Sequence, residues 1–178
     1  EGLDEVKTNI HNKKLNKKNI ISELKKPLAD RLLLIAQALR LGISVKDIYN
    51  ASKVDKWFIE QIKRIVDKEI ELISKGFPKK TEEILKIKAL GFSDKKISQL
   101  CGLNEEKVFD LRKKNKIFPD FKRIDTCAAE FKSMTPYMYS TYSKNYLNGD
   151  TCESNPSGKK KVIILGSGPN RIGQGVEF

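Results

Sequence analysis

The chain has 178 residues, 39% hydrophobic and 33% charged, enough to build a core of its own and to form one or two domains. The formal charge of +12 admits a polyanionic partner, but much of it comes from lysines interspersed with asparagine, the pattern of a solvated surface. No apolar run approaches the length of a membrane span, and three widely spaced cysteines (Cys101, Cys127, Cys152) exclude a CxxC metal site or a disulfide framework. An odd cysteine count without a signal peptide leads us to expect a reducing, cytoplasmic setting.

Residues 1–20 read as a polar low-complexity tail, with Asn16-Lys17-Lys18-Asn19 as loop. The only histidine, His11, lies there and is expected to be solvated rather than a metal ligand. From Ser22 to Leu41 the period becomes helical, with Leu28, Leu32, Ile35 and Leu39 on one face and Gly42 as terminator. Pro27 interrupts it, so Ile20 to Lys25 is expected to form a separate short turn and a new helix to begin near Lys26.

Ser44 then caps a short helix carrying Val45, Ile48 and Ala51. The dominant element follows, an amphipathic helix from Asp55 to about Ser74. Its apolar stripe is Ile59, Ile62, Val66, Ile70 and Ile73, widened by Phe58, Ile65 and Leu72. Asp55 is its expected N-cap, and Gly76 with Pro78 its end. Thr81 is expected to cap a helix with Ile84, Leu85 and Leu90, closed by Gly91. Ser93 and Asn104 open two more, carrying Ile97 with Leu100 and Val108 with Leu111.

These elements repeat. A shift of 49 residues lays Leu41-Gly42-Ile43-Ser44 on Leu90-Gly91-Phe92-Ser93, and Ile48, Val54, Asp55, Ile59 and Ile62 on Ile97, Leu103, Asn104, Val108 and Leu111. Caps fall on caps and core on core. We therefore expect an all-α domain over residues 21–116, built from two related helical units. The second unit resembles a helix-turn-helix from Lys96 to Val108, but the turn that would meet base edges is Asn104-Glu105-Glu106. Two carboxylates there disfavour nucleic acid, which stands as the alternative reading: a basic helix-turn-helix module.

After Lys116 the period stops. Residues 117–147 read as an irregular aromatic arm, 148–160 as a linker, and Val162-Ile163-Ile164-Leu165 as a buried parallel strand. That strand enters a turn containing Gly166, Gly168, Gly173 and Gly175. Arg171 stands where a dinucleotide fingerprint needs glycine, which argues against a dinucleotide site. A single terminal strand cannot bury itself, so the sequence is expected to be a piece of a larger protein, 161–178 opening a truncated Rossmann-like domain. Cys127 has no base near it in sequence and reads as structural.

Three stretches carry a family resemblance: Asp125-Thr126-Cys127-Ala128-Ala129-Glu130-Phe131, Thr135-Pro136-Tyr137-Met138-Tyr139-Ser140-Thr141-Tyr142, and Gly166 through Phe178. Together they resemble the large, synthetase component of carbamoyl-phosphate synthetase. Ala29-Asp30-Arg31 and Asp55-Lys56-Trp57-Phe58 are similar to its connecting helical domain, so the resemblance covers about residues 21–178. It implies a connection, or oligomerisation, domain between two ATP-grasp halves that make carboxyphosphate and then carbamoyl phosphate from bicarbonate, ammonia or glutamine, and two ATP. The product would feed pyrimidine or arginine synthesis.

ATP and magnesium (or manganese) would belong to the parent enzyme. The resemblance implies no catalytic, cofactor or metal residue within 1–178, and makes the Gly166–Gly175 turn structural. The implied partners are the two halves of the parent chain, its glutaminase component and a second copy of the chain, with no membrane. Candidate interaction residues are Trp57, Phe58, Tyr137, Tyr139 and Tyr142.

Overall fold

A computed structural model describes residues 16–135, 137–142 and 152–163. Within them the order is α1 (Lys17–Leu24), α2 (Arg31–Arg40), α3 (Val45–Ser52), α4 (Lys56–Lys75), α5 (Thr81–Ala89), α6 (Asp94–Cys101), α7 (Glu105–Lys114), β1 (Asp120–Arg123) and β2 (Met138–Thr141). His11, the Gly166–Gly175 turn and positions 164–165 of the expected strand lie outside the described residues. Val162 and Ile163 are exposed and belong to no sheet.

The domain is all-α, as the periodicity implies, and the repeat holds atom by atom. In unit one, the Gly42 amide donates to Leu39 at 2.9 Å and the Ile43 amide to Ala38 at 3.0 Å. In unit two, the Gly91 amide donates to Lys88 at 3.0 Å and the Phe92 amide to Ile87 at 3.4 Å. Both glycines have positive φ, 72° and 91°, a region costly for a side chain. Ser44 Oγ accepts from the Asp47 amide and Ser93 Oγ from Lys96. Asp55 Oδ1 accepts from Trp57, and Asn104 Oδ1 from Glu106. Ile48 corresponds to Ile97 and Ile59 to Val108 under the 49-residue shift, all four buried. The turns between short and long helices match too: Lys53 (φ 57°) and Gly102 (φ 63°) occupy the same left-handed position.

Helix α4 joins the units. Ile59 and Val66 enter the first core with Ile20, Leu24, Ile35, Leu39 and Ile48. Leu72 enters the second with Ile87, Phe92, Ile97 and Val108. An ion triad reinforces this join: Arg40 on α2 grips Glu69 of α4 in a fork, with Nε–Oε2 2.7 Å and Nη2–Oε1 2.9 Å. Lys96 of α6 approaches the same carboxylate at 3.4 Å. Glu69 is only 6% exposed, so pairing and the fork geometry are what allow the charge to sit there.

Several sequence expectations need correction. Asn16-Lys17-Lys18-Asn19 is not loop. Asn16 caps α1 through its side chain, and Ile20 and Leu24 are fully buried. Amphipathic spacing across the Lys/Asn-rich boundary was the available signal. Pro27 lies in the connection after α1, and the next helix begins at Arg31 rather than Lys26. Leu28 and Leu32 are consequently exposed, while Leu34, Ala36 and Ala38 join Ile35 and Leu39 inside. Thr81 does not cap α5; Lys80 holds that position without a side-chain bond, and Thr81 Oγ1 meets Asn115 Oδ1 at 2.7 Å. Gly76 has positive φ, but its ψ of −166° is not left-handed helical.

The arm after Lys116 is more regular than its sequence suggests. β1 and β2 pair antiparallel, Phe121 opposite Ser140 and Lys122 opposite Tyr139. Glu153 docks beside β1: its amide donates to Phe121 at 2.8 Å, and its carboxylate accepts from the Arg123 amide at 2.7 Å. That amide, first, and nearby Lys122 and Arg123 hold the Glu153 carboxyl below its ordinary value of 4.5, against the opposing effect of desolvation. Two-residue alternation is too brief here to show in sequence, because each strand has four residues.

Candidate interaction surface

The long helix presents two kinds of surface. Its buried side turns toward Glu69 and Leu72 in the C-terminal half, so Ile70 and Ile73 emerge 50% and 64% exposed instead of completing the expected stripe. At its N-terminus Trp57 and Phe58 are 59% and 55% exposed, their rings in edge-to-face contact with centroids 5.0 Å apart. Asp55 fixes this pair by receiving the Trp57 amide at 2.8 Å. An aromatic pair held on the first turn of a capped helix is a preorganised apolar anchor.

The hairpin carries the remaining candidates. Tyr137 and Tyr139 are each 52% exposed. Phe121, Phe131 and Met134 are exposed as well, and no sequence signal separated them from core residues. Tyr142 differs. It packs with Ile84, Leu85 and Ile117, with Lys88 Nζ 5.0 Å and Arg112 Cζ 6.0 Å from its ring centroid. The structure thus brings Trp57 and Phe58 together, leaves Tyr137 and Tyr139 open, and folds Tyr142 against its own domain.

Beneath Tyr142 lies a polar cluster that the sequence reading missed. Arg112 Nε and Nη2 each reach Asp94 Oδ2 at 3.0 Å, and Lys88 Nζ reaches Asp94 Oδ1 at 3.0 Å. Arg112 Nη1 also donates to the Ile117 carbonyl at 2.8 Å, and Lys88 to that of Phe92 at 2.6 Å. Burial acts to raise the Asp94 pKa, but the hydrogen bonds from Arg112 and Lys88 outweigh it and hold the carboxyl below its ordinary 3.8. Each partner is occupied by another protein group, so the cluster is a lock and offers no open position to a substrate.

The Asp125 loop is built similarly. Asp125 accepts the Cys127 amide at 2.9 Å and the Ala129 amide at 2.7 Å, holding Ala128 and Ala129 at φ 49° and 60°. Ser133 Oγ donates to Ile124 at 3.1 Å across the loop's base. The Thr126 hydroxyl lies 3.8 Å from the Cys127 sulfur. Burial raises the Cys101 thiol, which disfavours its reactive thiolate. Among the described residues no group of three or more His, Cys, Asp or Glu side chains could hold a metal ion, and no helix is long and apolar enough to cross a membrane.

Helices α6 and α7 have the order of a helix-turn-helix, and Glu105 and Glu106 stand exposed at the start of α7. Arg112, the one arginine on α7, is committed to Asp94. What the fold and its side chains define is an all-α domain with exposed aromatic side chains.

Residues 1–116 match the family described as carbamoyl-phosphate synthetase large chain, oligomerisation domain, and the chain belongs to that family. The carbamoyl phosphate synthase large chain of Rhizobium meliloti is 46% identical over 178 residues, covering 99% of this chain and 15% of the relative. Its counterpart in Brucella melitensis is 49% identical over 152 residues, 85% of this chain and 13% of the relative. That of Thermotoga neapolitana is 44% identical over 165 residues, 93% of this chain and 14% of the relative. The chain therefore spans about 15% of the length of the curated relatives it matches. The family match begins at residue 1 and so takes in the stretch that the sequence reading treats as a tail or insertion.

Proposed function

We propose that this chain is the connector of a carbamoyl-phosphate synthetase large chain, a rigid helical hub that joins the carboxyphosphate-forming and carbamoyl-phosphate-forming halves. It pairs subunits through Trp57 and Phe58, while Tyr137 and Tyr139 face the synthetase halves. The observation that carries this is an aromatic anchor left exposed on a fold whose buried polar groups are all engaged among the described residues. The resemblance supplies the rest of the reading: ATP and magnesium or manganese act in the halves, a glutaminase component delivers ammonia, and the product serves pyrimidine or arginine synthesis in the cytoplasm. A hub of this kind contributes geometry rather than chemistry. Its rigidity comes from the Arg40–Glu69–Lys96 triad between units and from the α4 core.

The direct test is catalytic. The purified 178-residue chain should show no bicarbonate-dependent hydrolysis of ATP at any magnesium concentration. Turnover above a no-protein control would sink the scaffold-only assignment.

A further inference from the structure

A cleft of about 520 Å³ opens where α4 ends and α5 begins, a site for which the connector role has no use. Leu72, Phe77, Pro78 and Ile87 contribute its apolar lining, while Lys68, Lys75, Lys79, Lys80 and Lys86 contribute five ammonium groups against the carboxylates of Glu71 and Glu83. Lys68 and Lys75 share Glu71, both bonding to its carboxylate. No ion pair engages Lys79, Lys80 or Lys86 among the described residues, and all three are exposed. Lys80 also leaves the first amides of α5 without a side-chain acceptor.

A solvated lysine face is ordinarily convex and polar throughout. This one lines a cleft with an apolar wall, and the lining carries an excess of three positive charges around a volume suited to a small ligand. Lysines act on phosphate as point charges, so several ammonium groups lining one cleft favour several phosphate oxygens over one carboxylate. We propose that this cleft binds a small organic anion carrying two or more phosphate groups, with its apolar or ring portion against Phe77 and Pro78. Lys79, Lys80 and Lys86 take the phosphates. The volume and the apolar wall favour a small molecule over a nucleic-acid backbone, which would need an extended basic groove.

Isothermal titration calorimetry on the 178-residue chain tests this, with ATP in EDTA as one probe and inorganic triphosphate as the other. We expect one ATP per chain, bound more tightly than triphosphate. Lys79→Ala/Lys80→Ala/Lys86→Ala should weaken binding by about tenfold or more, while Lys113→Ala/Lys114→Ala on α7 leaves it unchanged. Circular dichroism confirms that the exposed-lysine variants remain folded, and Lys79→Gln/Lys80→Gln/Lys86→Gln provides a second version that keeps side-chain length. Absence of binding, equal loss in the α7 control, or displacement of ATP by a DNA duplex at lower concentration would each overturn the proposal. EDTA removes magnesium, so this result is independent of any catalytic turnover.

Discussion

Lys53 and Gly102 occupy one structural position in two related units, and only one of them is suited to it. Both turn the chain through the left-handed region, where a side chain costs roughly 1–2 kcal/mol and glycine avoids the clash. Lys53 is exposed, and what its side chain offers in return is a surface cation–π contact, Nζ 5.8 Å from the Tyr49 ring centroid, smaller than that cost. Lys53→Gly should stabilise the domain by about 0.5–1 kcal/mol once the greater unfolded-state freedom of glycine is counted, and Gly102→Lys should destabilise it by about 1–2 kcal/mol. Urea denaturation of both variants checks the pair; a destabilised Lys53→Gly would show that the turn is held by something other than its backbone. Glu69 offers a second test at this scale. Glu69→Ala removes the carboxylate that Arg40 and Lys96 share and should cost about 3 kcal/mol, whereas Glu69→Met with Arg40→Leu should recover most of that loss.

Among the elements, the α5–α6–α7 unit and the hairpin meet at the Asp94 lock. Because the folded Asp94 pKa lies below its ordinary 3.8, the unfolded chain takes up the proton first as pH falls. Its contribution is complete well above pH 3.8 and disappears as pH drops through the folded value. Asp94→Asn should therefore cost about 2 kcal/mol at neutral pH, with the gap from the parent closing in acid. A gap that stayed constant with pH would assign the stabilisation to shape rather than charge. Tyr142→Ala should release the hairpin without unfolding the helices, seen as faster amide exchange at Phe121 and Tyr139 while Ile97 and Val108 stay protected.

This scale also shows what a sequence reader could see. The 49-residue repeat, the caps at Ser44, Asp55, Ser93 and Asn104, and the glycine stops at Gly42 and Gly91 are written in local chemistry, and each holds in the structure. Tertiary packing decided the rest. Ile70 and Ile73 keep helical spacing with Val66, yet α4 turns toward the second unit and buries Glu69 and Leu72 instead. The Asp94–Arg112 contact spans 18 residues and the Arg40–Glu69 contact 29, so no periodicity announces either. Trp57 and Phe58 stand out from the wide apolar face of the long helix, and the fold leaves both exposed; Tyr142 could not be told from Tyr139 without the fold that packs it.

At the scale of the molecule, the chain spans about 15% of the length of its relatives, and its surface exposes several large apolar side chains. The net charge of +12 over the whole chain gives long-range attraction to acidic surfaces. The proposed pairing surface is Trp57 with Phe58, whose rings meet edge to face on α4. Sedimentation velocity over a concentration series, with the parent chain beside Trp57→Ala/Phe58→Ala, tests the central claim directly. Self-association through this helix predicts a parent that shifts from monomer to dimer as concentration rises and a double variant that stays monomeric while folded. A parent that remains monomeric throughout, or a variant that dimerises equally well, would contradict the assignment of subunit pairing to this surface.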